Sequence, residues 1–550
     1  MNTLKMKSLH LAVLAGLAAV GAAGTAEAVH INPDGLGQVL VFPYYTARAG
    51  QATLISIINT QTNTKMVKVR FLEGKNSQEV LDFNLFLSPQ DVWTGAVIPT
   101  AAGARVISND NSCVTPSDLF NETRADSLGT ALNEFKNYQY AGLTTGSTAD
   151  TTVAAYLTLD RTREGYFEVI EMGVIDDDAN DTNAVGGPAA VVTAFIKHNS
   201  AGVPANCAAL NSYDAFTNNP STTKFPNTVG NATVTTLTNP PRGGLTGRAS
   251  VINSATGANF TFEPTAFDAW SAIVAYSPSG NLLPSITQPS PAVSNVFTSA
   301  GVVTATWGGP AVPAAQRDAM SATMMRKTVM NEYLLDTATA SQTDWVVTFP
   351  TKRYYVGIGT GAAQAPFTSN FGNSGSCDPY SPAVYNREEQ IPGGVTLFPN
   401  PSPLPPTASP IGSNLCWEAN VVPFAASSLL GSTNTNALAP AFQTFVNGAT
   451  SVPGANTSLT PTGIRATQGP NGWFLMSFSD AVQFLTPTLA TSSATLTPLG
   501  AAGPTTVAGR HEGLPVIGAM VHNYKNAGVA SLYGGVIPHK FTRIIDPIVP

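Results

Sequence analysis

The chain is poor in charged side chains, which make up 11% of its 550 residues. That fraction is less than half of the roughly 25% typical of globular proteins. The formal net charge is −7, because 27 lysine and arginine residues are outnumbered by 34 aspartate and glutamate residues. Because nucleic-acid binding relies on clustered basic side chains, we expect no nucleic-acid partner.

Long apolar runs are also scarce. Residues 11–23 form an apolar run of 13 residues, whereas a helix needs about 20 to cross a bilayer. This run follows Lys5 and Lys7 and is followed by the small-residue triplet Ala26-Glu27-Ala28. The pattern predicts a cleavable secretory signal over residues 1–28 and a mature chain outside the cell or at its surface, with no transmembrane segment.

Familiar catalytic and cofactor motifs are missing. The sequence contains no G-x-S-x-G nucleophile turn, no H-E-x-x-H zinc helix and no glycine-rich phosphate loop. His511, His522 and His539 fall in one C-terminal segment, so a zinc site is an alternative. Without a metal-binding spacing we expect them to be core or surface histidines.

Cysteine is rare but all of it lies in the expected exported part. Four cysteines allow three pairings. Pairing of neighbours, Cys113 with Cys207 and Cys377 with Cys416, keeps each bond within one expected domain. An oxidising compartment favours such disulfides.

Polar and apolar residues alternate with the period of a β-strand in several segments. Val67, Val69 and Phe71 alternate with Lys68 and Arg70, and a similar alternation follows a polar turn over residues 73–77. The fold class we predict is mainly β, with antiparallel β-sandwich-like domains, a few packed helices and long loops rich in proline and glycine.

Two helices and three domains are expected along the chain. The helices are placed at residues 127–140 and 314–335, the second with a methionine stripe that would pack against a sheet. Residues 392–410 are dense in proline and predict a stiff surface loop. The expected domains comprise residues 29–240, 241–375 and 376–550.

The sharpest local motif is an acidic segment. Oxygen-bearing side chains recur at Asp176, Asp178, Asn180 and Asn183, and calcium prefers six to eight oxygen ligands. The segment lacks the glycine and the final glutamate of an EF-hand loop, so further ligands would have to come from elsewhere. Calcium is thus a possible cofactor, and an exposed acidic turn without an ion is the alternative.

Two groups of carboxylates raise the alternative of glycoside hydrolysis. Glu164, Glu168 and Glu171 form one group, and Glu388 and Glu389 the other. The separation that such chemistry requires is spatial and cannot be read from sequence. We interpret both groups as solvated strand or loop faces.

Six tryptophans are spread through the chain, and an exposed one could stack on a sugar ring. Most tryptophans in a β core are structural anchors, which is the expectation here. The six are Trp93, Trp270, Trp307, Trp345, Trp417 and Trp473.

Three segments resemble a group of exported proteobacterial proteins known as cell-surface proteins. They are residues 37–46, 69–77 and 343–353, and residues 533–540 are similar to the C-terminal end of the same group. The resemblance implies a location at the cell surface, and it implies no activity and no catalytic residues.

The function expected from these features is that of an exported structural, coat-forming or adhesive protein that acts through surface contacts. Its partners would be other cell-surface components or further copies of itself. The alternative is a secreted protein that binds glycans or hydrolyses polysaccharides. No catalytic residue is assigned.

Overall fold

A computed structural model describes residues 28–550 with internal gaps. The gaps are residues 145–146, 176–187, 212–213, 215–237, 309–311, 337–338, 359–361, 387–412, 426, 436–470, 479, 488–492, 500–502, 508, 526–531 and 547–550. The expected signal, the acidic segment and the proline-rich loop therefore lie outside the described residues.

The described residues form a mainly β structure, as predicted. Strands of the first half are β1 His30–Ile31, β2 Val39–Thr46, β3 Ala52–Asn59, β4 Thr64–Glu73, β5 Glu79–Leu87, β6 Val92–Pro99, β7 Ala104–Ile107, β8 Cys113–Thr115, β9 Glu164–Ile175, β10 Leu245–Asn253, β11 Ala258–Phe262 and β12 Thr265–Asp268.

The remaining strands follow residue 290. They are β13 Val293–Thr298, β14 Gly301–Thr306, β15 Met325–Arg326, β16 Thr328–Leu334, β17 Gln342–Thr348, β18 Asp378–Asn386, β19 Ser413–Leu415, β20 Ala419–Pro423, β21 Asn471–Ser477, β22 Phe484–Leu485, β23 Ser493–Pro498, β24 Thr505–Val507, β25 Arg510–Glu512, β26 Leu514–Pro515, β27 Ile517–Lys525, β28 Leu532–Pro538, β29 Lys540–Thr542 and β30 Ile545–Asp546.

Helices are few and short. The α-helices are α1 Pro188–Ile196, α2 Cys207–Leu210 and α3 Val312–Met324, and the 3₁₀ helices are Ala154–Leu157, Leu159–Arg163 and Lys352–Tyr354.

The first sandwich packs a seven-stranded sheet against a five-stranded one. The seven-stranded sheet has the order β1-β12-β2-β9-β4-β5-β8, and the five-stranded sheet has the order β11-β10-β3-β6-β7. Phe42, Phe71 and Phe167 from the first sheet meet Ile57 and Trp93 from the second in one core. The predicted hairpin is confirmed, because β4 and β5 pair antiparallel from Lys65 to Glu79.

The second sandwich packs against part of the other face of the seven-stranded sheet. Its sheets have the orders β19-β18-β21-β16-β29 and β20-β17-β27-β28. Trp345, Phe474 and Met520 of this sandwich share a core with Tyr166 and Ile170 of β9. The central strands β4 and β9 are consequently buried along their whole length.

The expected border near residue 240 falls between strands that share sheets. β10 pairs with β3, and β12 pairs with β2, so residues 245–268 complete both sheets of the first sandwich. Hydrogen bonding within a sheet thus joins residues from either side of that border.

The prediction of a helix over residues 314–335 is wrong in its second half. Helix α3 ends at Met324, and Thr328–Leu334 forms the strand β16. Val329, Asn331 and Tyr333 are buried while their neighbours are more exposed, which is the period of a strand. Met320 and Met324 pack in the core as expected.

The helix predicted over residues 127–140 is absent, and this segment forms turns instead. The Asp126 carboxylate accepts hydrogen bonds from the backbone amides of Leu128 and Thr130 and from the Tyr138 hydroxyl. Side-chain bonds to nearby amides compete with helical hydrogen bonds, and here they prevail.

Both disulfides join the expected neighbours. Cys113 bonds Cys207, which connects β8 to α2, and Cys377 bonds Cys416 near β18 and β19. The first bond therefore ties an edge strand to a helix distant in sequence, and the second closes the end of the β18–β19 pair, next to the partners Asp378 and Leu415.

Candidate functional site

The carboxylates of β9 are buried in ion pairs, so the interpretation of this group as a solvated face is wrong. Glu164 lies 2.7 Å from Arg48, Glu168 lies 2.7 Å from Arg70, and Glu171 lies 2.7 Å from Lys65. β9 is buried along its whole length, and a buried carboxylate requires a cationic partner in such a place. The three groups are thereby held in fixed pairs.

A second buried network joins the β4–β5 turn to the segment before β9. Arg161 lies 2.7 Å from Glu73 and 2.7 Å from Asp150. Burial alone would raise the pKa of Glu73, but the Arg161 guanidinium and backbone amides hold it below its ordinary value. Glu73 is therefore an ionised structural anchor of the turn.

Two other buried carboxyls take up protons more readily than usual. Burial raises the pKa of Glu418 to about 8. Burial likewise raises the pKa of Asp344 to about 6, although hydrogen bonds from Ser428 and Leu430 oppose the shift. Glu418 is thus predominantly a neutral acid at pH 7.

An open groove crosses the outer face of the five-stranded sheet. It has a volume of about 500 Å³. Ser56, Thr94 and Arg248 come from three adjacent strands, β3, β6 and β10, and lie in register across the sheet. Because side chains alternate along a strand, these residues face away from the core that Ile57 and Trp93 fill.

The groove continues into a polar pocket of about 380 Å³ through the shared residues Thr94 and Asn109. Asp91, Asp110 and His198 also line this pocket. Asp110 accepts hydrogen bonds from the backbone amide and hydroxyl of Thr94, which fixes the wall between the two concavities. The combined surface offers hydroxyl, amide and carboxylate groups along an extended path.

Ser88, Asp91 and His198 lie together in this region but not in the order of a catalytic triad. The Ser88 hydroxyl is 3.3 Å from His198 Nδ1, and the Asp91 carboxylate is 3.7 Å from the same nitrogen. In a triad the serine and the carboxylate occupy opposite ring nitrogens. The contacts are therefore those of side chains that hold the pocket lining in place by hydrogen bonds, and they do not activate Ser88 as a nucleophile.

A third concavity, of about 390 Å³, combines a cation with exposed aromatic rings. Phe297, Phe541 and Arg543 line it. Phe541 is 46% exposed, and the buried Arg326 guanidinium lies 3.9 Å from its ring centre. Among the described residues, neither Arg326 nor Arg543 forms an ion pair with a carboxylate, and the Arg543 guanidinium donates to the carbonyl oxygens of Phe297 and Thr323.

The three C-terminal histidines do not converge. His511 is buried beside Trp307, and burial, with a contribution from Arg543, lowers its pKa to about 3. Burial lowers the pKa of His539 to about 4, and its Nε2 lies 3.0 Å from the Val346 carbonyl oxygen. In the described ranges, His, Cys, Asp and Glu form no group of three that could hold a metal ion.

Most of the tryptophans are structural, as expected. Trp93, Trp270 and Trp345 are fully buried, and Trp307 and Trp417 are nearly so. Trp473 is 38% exposed and stacks on Tyr385 at 4.3 Å between ring centres.

Several expected site residues cannot be placed. Asp176, Asp178, Asn180 and Asn183 lie outside the described residues, as do Glu388 and Glu389. The calcium site therefore stays a prediction.

Sequence reasoning missed the buried pairing, although the sequence contains a signal for it. Lys65, Lys68 and Arg70 follow one strand pattern, while Glu168 and Glu171 follow another. Opposite charges on two strands of matching period indicate cross-strand pairs. The register of β4 with β9 places Arg70 directly opposite Glu168.

None of the helices in the described ranges has the length and apolar character needed to cross a bilayer. The chain matches no known protein family, no curated protein and no solved structure.

Proposed function

We propose that this chain is an exported cell-surface protein of structural or adhesive type, and that the groove on the five-stranded sheet is its contact surface. The observation that carries the proposal is the row of Ser56, Thr94 and Arg248 along an open concavity. Two disulfides agree with a compartment outside the cytoplasm.

The chemistry of the groove favours a polar, extended partner. Hydroxyl groups both donate and accept hydrogen bonds, and the Arg248 guanidinium donates to carbonyl, carboxylate or sulfate oxygens. The groove is framed by β-strands, which hold these groups in fixed positions. Its partner is another envelope component or a second copy of the chain.

Filling the groove tests this proposal. Thr94→Trp places a large ring in the groove, whereas Leu128→Trp alters a turn residue that is already 63% exposed. We expect Thr94→Trp to weaken retention on isolated cell envelopes, or self-association, by about tenfold, which corresponds to about 1.4 kcal/mol. Leu128→Trp should behave as wild type.

The measurement is the distribution of the mature protein between envelope and soluble fractions, together with sedimentation velocity at increasing concentration. The proposal would be refuted if the wild-type protein stayed monomeric and was found only in the soluble fraction, with none bound to the envelope. Equal retention of both variants would refute the assignment of the groove.

Glycan binding is the second candidate, and the pocket at Arg543 favours it. The partly exposed rings of Phe297 and Phe541 offer apolar contacts to a sugar ring, and the Arg543 guanidinium attracts an acidic substituent. An array of acidic and neutral glycans tests this candidate. Arg543→Ala should abolish binding of acidic glycans, while Arg124→Ala, at a surface pair with Asp118, should not.

Calcium binding by the acidic segment is a further part of the proposal. Asp176, Asp178, Asn180 and Asn183 would supply part of the oxygen ligands. Calorimetric titration of the mature chain with calcium, repeated with Asp176→Asn and Asp178→Asn together, tests it. Identical heats from both proteins would exclude these ligands.

A further inference from the structure

Lys75 differs from the other buried lysines in what its amine contacts. Lys65, Lys68 and Lys352 each place Nζ within 2.8 Å of a carboxylate. Lys75 Nζ instead donates to the side-chain oxygen of Asn434 at 2.8 Å. No ion pair involving Lys75 occurs in the part of the chain that the structure describes.

Aromatic rings enclose this contact. Lys75 Nζ lies 3.9 Å from the centre of a Trp417 ring and 4.5 Å from that of Tyr156. Lys75 is 6% exposed and Asn434 is 1% exposed. The amine and the amide therefore meet in a site that largely excludes water.

Hydrogen bonds hold the backbone of Asn434 in place, but the nitrogen of its side-chain amide lacks an acceptor among the described residues. Its backbone amide donates to the Ser432 hydroxyl, and its backbone carbonyl accepts from Val421. Its side-chain Nδ2 is buried without a hydrogen-bond acceptor among the described residues. A buried amide group without a partner is costly, and this cost disappears if the nitrogen leaves.

The surroundings also favour the neutral form of the lysine amine, which an acyl transfer needs. Burial lowers the pKa of Lys75 to about 8, against the opposing charges of Glu164 and Glu73. At pH 7 roughly one amine in ten is then neutral and nucleophilic.

We propose that Lys75 and Asn434 join in an intramolecular isopeptide bond. The lone pair of Lys75 Nζ adds to Cγ of Asn434, and the bond from Cγ to Nδ2 then breaks. One proton passes from Nζ to the departing nitrogen, which leaves as ammonia. A lysine amine and an asparagine amide are converted to one secondary amide and ammonia, with no oxidant or cofactor.

Glu164 is a positioning residue for this reaction. Its carboxylate accepts from the backbone amide and hydroxyl of Thr433, adjacent to Asn434. Among the charged neighbours of Lys75 it has the largest effect on the amine. The same carboxylate thus fixes the asparagine segment and faces the lysine.

The bond would join the β4–β5 turn of the first sandwich to the segment after β20 of the second. The two residues are 359 positions apart in sequence. A covalent link of this kind suits a protein exposed to mechanical or proteolytic stress, and it is independent of the partner that the groove binds.

Intact mass of the mature, secreted chain, measured after denaturation and reduction, tests the proposal. We expect a mass about 17 Da below that of the unmodified sequence, because one ammonia is lost. A tryptic digest should contain a branched peptide that joins residue 75 to residue 434. Lys75→Arg and Asn434→Ala should restore the full mass expected for each variant.

Lys327→Arg is the matched control, because Lys327 pairs with Glu512 near the surface. This variant should retain the loss of ammonia. Wild-type protein at the full sequence mass, or a loss that the digest places elsewhere, overturns the proposal. The wild-type digest decides the matter even if a variant does not fold.

Discussion

At the scale of single residues, the protein buries several charged side chains in its interior, although charged residues are only 11% of the chain. Lys65 and Glu171 are fully buried, as are Arg161 and Glu73. Each ion pair is satisfied by further hydrogen bonds, such as those from the backbone amides of residues 242 and 243 to Glu171. Loss of one partner would leave an uncompensated charge in the protein interior.

Lys65→Met should therefore destabilise the fold by about 3–5 kcal/mol, the cost of breaking a buried pair from one side. The matched change Lys327→Met affects a partly exposed pair and should cost about 1 kcal/mol or less. Urea unfolding followed by tryptophan fluorescence measures both. Equal midpoints for the two variants would contradict the buried role of Lys65.

His511 predicts a specific acid sensitivity. Its folded-state pKa, lowered to about 3 by burial, lies below the ordinary value of 6.5. A lowered pKa means that the stabilising contribution is present above pH 6.5 and is lost as the pH falls towards 3.

His511→Leu should therefore lose less stability than wild type between pH 6.5 and pH 4.5. The difference between the two proteins should be at most about 1.4 kcal/mol per pH unit. Urea midpoints at a series of pH values provide the measurement. Parallel curves for the two proteins would show that His511 is not buried in its neutral form.

At the scale of elements, close approach of β4 and β9 restricts the residue types that β9 tolerates. A Cβ atom added at Gly165 would lie 2.0 Å from the Leu72 carbonyl oxygen. The strands would have to separate at the position where Glu73 and Glu164 anchor their networks. A Cβ atom added at Gly372, by contrast, would have no other atom within 4 Å.

Gly165→Ala should destabilise the protein by about 1–3 kcal/mol or more, as overpacking does, while Gly372→Ala should be close to neutral. Thermal unfolding of the two variants under one condition gives the comparison. A neutral Gly165→Ala would mean that the β4–β9 pairing is looser than described.

Elements also show where local pattern was sufficient and where it was not. The alternation of Val67, Val69 and Phe71 with Lys68 and Arg70 correctly predicted a strand in a hairpin. It did not reveal that the polar face is buried as well, because the residues that cover it are distant in sequence. The Lys68 amine, for example, donates to the carbonyl oxygens of Pro278 and Asn281. The period of a sequence separates two faces but does not identify what packs on each.

The two helix predictions failed for local reasons that a sequence can conceal. Methionines at helical spacing continue past Met324, yet Val329 and Tyr333 pack as strand residues against the β21 partner. In the other segment, Asp126 gathers hydrogen bonds that close turns. In both cases contacts outweighed a weak helical preference.

At the scale of the whole molecule, the two sandwiches share a core. Tyr166 of β9 donates its hydroxyl to the Pro350 carbonyl, and the Thr348 hydroxyl donates to the Pro43 carbonyl. Strands β10 and β12 complete the first sandwich from beyond residue 240. Folding of one sandwich thus depends on residues distant in sequence.

A fragment of residues 29–240 should accordingly fail to fold as a soluble unit. It lacks β10 and β12, which leaves the edges of β3 and β2 open, and open edges promote aggregation. Circular dichroism and size-exclusion chromatography of the fragment, beside the full mature chain, measure this. A monomeric fragment with a cooperative melting transition would support the domain limits expected from sequence instead.

Local pattern was enough to predict the β-rich class and the hairpin of β4 and β5, and it favoured the pairing of neighbouring cysteines, because each depends on local period or on residues of one region. The folded chain was needed to reveal three further features. These are the ion pairs of Glu164, Glu168 and Glu171, the groove at Thr94, and the contact of Lys75 with Asn434. These features join residues on different strands and sheets. A contact between such residues exists only after the chain has folded, since burial and register, not sequence distance, set what each side chain meets.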